Sequence, residues 1–294
     1  MNQISASGPF VYRNYTQDQL DAEYNNQAKI SLPRFQSFVQ DCARLSVEAR
    51  GRWPSHLDVR YGPHPAQTLD IFLPQEPCAD APVEVFLHGG YWRMFSKDDF
   101  SYVANGMAPH GFITVIVNYA LVPTVDLDTL AAQCHEAVLW THANIQRYGG
   151  NPNRMFLSGH SAGGHLTAQL LASPWPADIG CPIKAATAIS GIYELEPVRL
   201  CYLNTTLGFT PETAQGNSPV YRPAPSVPLE LYVGAAEGEE YLRQSVSLAQ
   251  AWSDSPHPPD LHVMDGEDHF SIRAQLGEPA SGLVKSMLAQ RQAR

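Results

Sequence analysis

The chain has 294 residues, 44% of them hydrophobic and 16% charged, which is enough apolar material for a full core without repeats or cross-links. Disordered, collagen-like and small disulfide-framed architectures are thereby excluded. Nineteen Lys and Arg against 29 Asp and Glu leave a net charge of −10 with no basic stripe, which argues against a nucleic-acid partner.

The start of the chain has no basic segment leading into an apolar run, and no later stretch approaches the length of a membrane span, so the expectation is a soluble, cytoplasmic protein without a membrane partner. Five cysteines (Cys42, Cys78, Cys134, Cys181, Cys201) are odd in number, widely spaced and lack a C-x-x-C pair, a pattern of reduced thiols. Thr16-x-x-Gln19 reads as a capping box, and Phe35, Phe38, Val39, Cys42, Leu45 and Ala49 form a second helical face, so residues 1–55 are expected to be a helical cap segment.

From there a single catalytic domain, 56–294, is expected. Eight β-branched or aromatic runs begin at Leu57, Thr68, Val83, Ile113, Arg154, Ala185, Leu229 and Leu261. Between the fourth and fifth, Leu127, Leu130, Cys134, Val138, Thr141 and Ile145 mark one face of a helix that stops at Gly149-Gly150. Further helices are expected after the third run, over Gly164 to Ala172, and over Glu239 to Trp252. Strands alternating with helices predict an α/β fold with a mostly parallel eight-stranded sheet covered on both faces, its first two strands antiparallel. The proline-rich stretches 74–82, 174–182 and 211–228 read as surface connections without strand or helix, the last long enough to wall a pocket.

Gly159-His160-Ser161-Ala162-Gly163 is a G-x-S-x-G pentapeptide between the fifth strand and a helix, the setting in which a serine is raised on a sharp turn as a nucleophile. The small residues two before and two after Ser161 allow that turn, and the helix N-terminus favours developing negative charge. His88-Gly89-Gly90-Tyr91-Trp92 follows the third strand, where a second amide is expected to join that of Ala162 in an oxyanion hole, Gly90 donating and Gly89 shaping the loop. Among 11 histidines His269 is best placed as the base, on a loop after the last strand. An acid is expected after the seventh strand: Glu237 comes first, with Glu240, Asp265 and Asp268 as alternatives. His160 and His165 lack the spacing and the third ligand of a zinc site, so neither metal nor cofactor is expected.

These segments resemble the α/β-hydrolase superfamily and, within it, the kynurenine formamidase (arylformamidase) group and its bacterial esterase relatives. The likeness rests on YNN at Tyr24, HGGYW at His88, NYALVP at Asn118, GHSAGGHL at Gly159, SGIYELEP at Ser190, LN at Leu203, VGAAEGEEYLRQS at Val233 and EDHF at Glu267. It implies Ser161 as nucleophile, His269 as base, Glu237 as acid and Gly89 and Gly90 in the oxyanion hole. Arylformamidases carry Asp where this chain has Glu237, although glutamate serves in other hydrolases of the fold.

The activity so implied is removal of a formyl group from an aryl formamide such as N-formylkynurenine. A carboxylesterase using the same residues is the alternative, and a non-catalytic binding protein would leave the whole set idle. Tyr91 and Trp92, then Tyr193 and Tyr24, are candidates for an aromatic wall, and Arg93 or Arg199 for the amino-acid end of the substrate. The partner expected is a small-molecule ester or amide, with a homodimer left open.

Overall fold

A computed structural model of the protein describes residues 8–76 and 79–292. Eight strands form one sheet: β1 (Ser55–Arg60), β2 (Thr68–Phe72), β3 (Ala81–Leu87), β4 (Ile113–Val117), β5 (Gly150–His160), β6 (Ile183–Ile189), β7 (Leu229–Gly234) and β8 (Asp260–Met264). Their spatial order is β1-β2-β4-β3-β5-β6-β7-β8. β1 and β2 pair antiparallel, as do β2 and β4, and every other pair is parallel.

Parallel pairs need crossover helices, and those helices cover both faces of the sheet. The longer helices are α1 (Gln17–Tyr24), α2 (Leu32–Arg52), α3 (Leu127–Asn144), α4 (Ala162–Leu171), α5 (Glu239–Ala251) and α6 (Gly282–Gln292). Strand alternation divides the core. Val83, Val85 and Leu87 of β3 join Ile113, Val115 and Val117 of β4 beneath α1, α3, α4 and α5. Phe86 and Ile116 point the other way, into a cluster with α2, the 97–110 segment and α6.

The proline-rich stretches are only partly the plain connections expected. Ala81 and Pro82 belong to β3, where Pro82 coincides with a register shift against β5 between Ala81 and Val83, a place where a missing N–H costs no ladder bond. Pro211–Gly216 is a short helix, because Thr210 caps it by accepting the Thr213 amide and Pro211 occupies the first turn.

Ahead of the sheet, α1 is capped as expected, the Gln19 side chain accepting the Thr16 amide at 3.0 Å. On α2 the buried line is Cys42, Ser46 and Ala49, with Phe38 and Leu45 packed beside it, while Val39 is exposed. Cys42, Cys134, Cys181 and Cys201 are free thiols; Cys78 lies outside the described residues. No helix among the described residues is long and apolar enough to cross a membrane.

One ion pair inside the core ties the last helix to the centre of the sheet. Arg291 of α6 grips Glu84 of β3 with Nε at 2.8 Å and Nη2 at 3.0 Å, both side chains fully buried. Removing one partner leaves an unpaired charge in a dry site. Arg291→Met is therefore expected to cost about 3–5 kcal/mol and to lower Tm by about 10 °C, with much of the loss recovered in Glu84→Met/Arg291→Met, as read by thermal melts.

Candidate active site

Ser161 occupies the junction of β5 and α4 at φ 57° and ψ −118°, a backbone region that residues other than glycine rarely adopt. Its amide is held by the Ile189 carbonyl at 2.8 Å. The turn requires glycine on both sides: a Cβ at Gly159 would sit 2.2 Å from the Gly163 carbonyl oxygen, and one at Gly163 only 1.9 Å from that of Leu87. Those absent side chains let the start of α4 press against the end of β3.

The loop leaving β3 is shaped by His88. Its Nδ1–H donates to the Gly89 carbonyl at 2.8 Å, while its ring stacks on Tyr119 at 4.2 Å between centroids. The Gly89–Gly90 peptide is trans, so fixing its carbonyl toward His88 turns the Gly90 N–H the opposite way. Gly90 has φ +121°, and a Cβ there would meet the Met94 carbonyl oxygen at 2.3 Å. Neither the Gly90 nor the Ala162 amide donates to another group of the described protein, which leaves both available to an oxyanion.

The loops after β7 and β8 bring two further side chains to Ser161. His269 Nε2 lies 3.1 Å from Ser161 Oγ, and its Nδ1 lies 2.6 Å from Glu237 Oε2. Glu237 is fully buried; its Oε1 accepts from the Gly234 amide at 2.6 Å and from Ser190 Oγ at 2.5 Å. With Nδ1–H committed to Glu237, Nε2 is free to accept the serine proton. Of the alternative acids, Glu240 is paired with Arg243 and Tyr24, Asp268 caps the amides of Phe270 and Ser271 and pairs with Arg34, and Asp265 is exposed.

His160 steadies this arrangement from behind, its Nε2–H donating to the His269 carbonyl at 3.0 Å. Burial, the neighbouring His269 and the Arg273 guanidinium hold His160 neutral, its pKa well below the usual imidazole value.

Ser161 and His269 open on a cavity of about 180 Å³. Its walls include Phe35, Tyr91, Phe95, Tyr202 and Phe270. Tyr91 is the one proposed aromatic that contributes. Trp92 is fully buried outside the wall and donates Nε1–H to His165 Nδ1 at 3.1 Å. Tyr193 is buried beside Gly191, and Tyr24 points to Glu240 at 2.8 Å.

The 211–228 stretch does not wall the cavity; its Asn217 carbonyl instead accepts from His165 Nε2 at 2.7 Å. Arg93 does line it, whereas Arg199 is paired with Glu196. Sequence reasoning passed over Asn26, which donates to both Tyr91 Oη at 3.0 Å and Tyr241 Oη at 2.7 Å, and Ser190, Phe35 and Arg273. Of these, Asn26 within the YNN motif and Ser190 at the head of SGIYELEP carried a signal.

Buried histidines, His88 and His165 as well as His160, make the support pH-sensitive. Desolvation lowers His88 and His165 to about 4, and each ring uses a neutral form, His165 accepting from Trp92 while donating to Asn217. The unfolded chain, with imidazoles near pKa 6.5, binds protons that the folded chain refuses, so stability is full above that value and is lost as pH falls toward 4. Each histidine is expected to contribute up to roughly 3 kcal/mol to that loss. Thermal melts across the interval should fall steeply, with a shallower slope in His165→Gln; an unchanged slope would contradict the assignment.

The chain is similar to known proteins over most of its length. The BD-FAE family model matches residues 69–174, the span from β2 through Ser161 to the end of α4. Kynurenine formamidase from Danio rerio is 32% identical over 247 residues, 82% of this chain and 83% of that one. A crystal structure of a proposed thioesterase from Silicibacter sp. TM1040 superposes with TM-score 0.80 at 28% identity, covering 91% of this chain and 98% of that chain. A Pyrobaculum calidifontis esterase shares the fold at TM-score 0.71 and 16% identity, over 90% of this chain and 94% of the other.

Proposed function

The chain belongs to the kynurenine formamidase family of α/β-hydrolase enzymes, and from that premise we propose that it deformylates an aryl formamide of the N-formylkynurenine type through a Ser161–His269–Glu237 triad and an acyl-enzyme. The observation that carries this reading is the unbroken chain of contacts from Ser161 Oγ through His269 to Glu237, 3.1 Å and 2.6 Å, on the floor of an aromatic-lined cavity.

Ser161 Oγ attacks the formyl carbon as its proton passes to His269 Nε2. Glu237, already bonded to Nδ1–H, stabilises the imidazolium and keeps the ring in register. The carbonyl oxygen, now carrying the negative charge, is met by the amides of Gly90 and Ala162. Collapse of the tetrahedral intermediate breaks the C–N bond, and the arylamine leaves with the proton from Nε2. Water, deprotonated by the same nitrogen, then attacks the formyl-serine and releases formate.

The aromatic wall supports an aryl leaving group, since Phe35, Tyr91, Phe95, Tyr202 and Phe270 offer ring faces and edges around the site. Ester cleavage by the same groups needs no rearrangement, and isoprenylcysteine methylesterases from rice and Arabidopsis thaliana are also among the relatives.

Steady-state kcat/KM on N-formyl-L-kynurenine beside p-nitrophenyl acetate and butyrate tests the reading. A formamide value above both esters is expected, with Ser161→Ala lowering all three by about 10⁴-fold or more. Turnover of the esters with none of the formamide would make the protein a carboxylesterase. Activity retained in Ser161→Ala would remove Ser161 from the mechanism. Glu237→Gln, which leaves shape but spoils the ring tautomer, is expected to lower kcat by about 10²–10⁴-fold.

A further inference from the structure

The cavity wall carries two guanidinium groups, Arg93 and Arg273, and not one aspartate or glutamate. That imbalance is unusual in a chain with ten more acidic than basic residues. Arg273 is 7% exposed, yet no carboxylate lies within ion-pair distance of it among the described residues. Its Nη2 reaches only the Cys42 thiol at 3.5 Å, and its buried Nε has no hydrogen-bond partner. The centres of the Phe38 and Phe100 rings lie 4.6 and 5.0 Å from the group, which softens the cost of burial without neutralising it. Arg93 also has a buried, unpartnered Nε, with a single 3.4 Å contact from Nη1 to Thr206.

A buried cation normally has its counter-charge in the fold. Arg273 is also among the residues that line the cavity holding Ser161 and His269. We propose that Arg273 is the specificity-determining residue for a substrate that carries a carboxylate on its leaving group, with Arg93 adding to the positive field. The planar guanidinium, packed against two aromatic rings, offers a carboxylate a fork of donors in a way that a lysine on a flexible stem does not. The proposal rests on the hydrolase reading of Ser161 and deepens it: the substrate is an anionic aryl formamide or aryl ester, bound with its acyl carbon at Ser161 and its acid group at Arg273.

The test compares matched substrates that differ in the carboxylate. One pair is N-formyl-L-kynurenine and N-formylkynurenamine; the other is 3-acetoxybenzoate and phenyl acetate. For each pair the ratio of kcat/KM, charged over neutral, is measured in the wild type, Arg273→Gln and Arg273→Lys, with thermal melts establishing that each variant is folded. The wild type is expected to favour the charged member, and Arg273→Gln to lower the ratio by about tenfold or more, chiefly through KM. Arg273→Lys should retain part of the preference, because the charge stays while the planar fork is lost.

A ratio in folded Arg273→Gln equal to that of the wild type would overturn the proposal. So would a wild type that prefers the neutral member of each pair it hydrolyses. Should only the esters be hydrolysed, with an Arg273-dependent preference for 3-acetoxybenzoate, the carboxylate subsite stands and the formamide reading falls.

Discussion

Everything at this site depends on a turn the backbone resists. Ser161 is held at φ 57° between a buried strand and a buried helix, a conformation that costs roughly 1–3 kcal/mol and persists only where packing over-determines it. The packing comes from missing side chains. Gly159 and Gly163 close the turn on itself, Gly163 brings α4 against the last carbonyl of β3, and Gly89 lies where a Cβ would be 2.8 Å from the His160 carbonyl oxygen. Ser161, the first turn of α4 and the loop after β3 are thus packed as one unit. Gly234 does the same at the end of β7, where a Cβ would stand 2.3 Å from the Glu267 carbonyl oxygen, so the loops carrying Glu237 and His269 meet beside Ser161.

Around that unit, polar groups taken out of water are satisfied in a way that holds each reactive side chain in one orientation. His88 sets the Gly89–Gly90 peptide, His160 sets the His269 backbone, and His165 ties Trp92 to the Asn217 carbonyl. Neutral imidazole serves all three, because burial disfavours the charged ring. The N-terminal segment belongs to the same network. Asn26 bridges Tyr91 and Tyr241, Tyr91 donates to the Tyr24 carbonyl, Tyr24 donates to Glu240, and Lys29 donates to the Glu237 carbonyl. Residues far in sequence from Ser161, His269 and Glu237 therefore form part of the cavity wall and of its support.

How much of this was legible in the sequence follows from the range of the forces involved. The eight strands, the antiparallel start of the sheet and the main helices were readable because burial imposes a local period, two for strands and 3.6 for helices. Ser161, His269 and Glu237 were found because each follows a strand end, and the sheet topology brings strand ends together. Side-chain direction was not readable. Trp92 lies next to Tyr91 in a loop of positive φ and faces away from the cavity, and Tyr193 and Tyr24 spend their rings in the core. Phe35 reaches the site from α2 and Arg273 from the short helix Ser271–Ala274, and the docking of both depends on tertiary packing that no local pattern encodes. The Pro211 helix was a local signal passed over, since Thr before Pro is a cap followed by a first-turn residue.

The central claim is that Ser161 forms a covalent acyl intermediate with His269 as the proton carrier. Its most direct test is peptide mapping by mass spectrometry after acid quench of the enzyme during turnover of N-formyl-L-kynurenine and of p-nitrophenyl acetate. The account predicts a gain of one acyl group on the peptide containing Ser161, formyl from the first substrate and acetyl from the second, with His269→Ala slowing its formation. An acyl group found on another residue while turnover continues would contradict it.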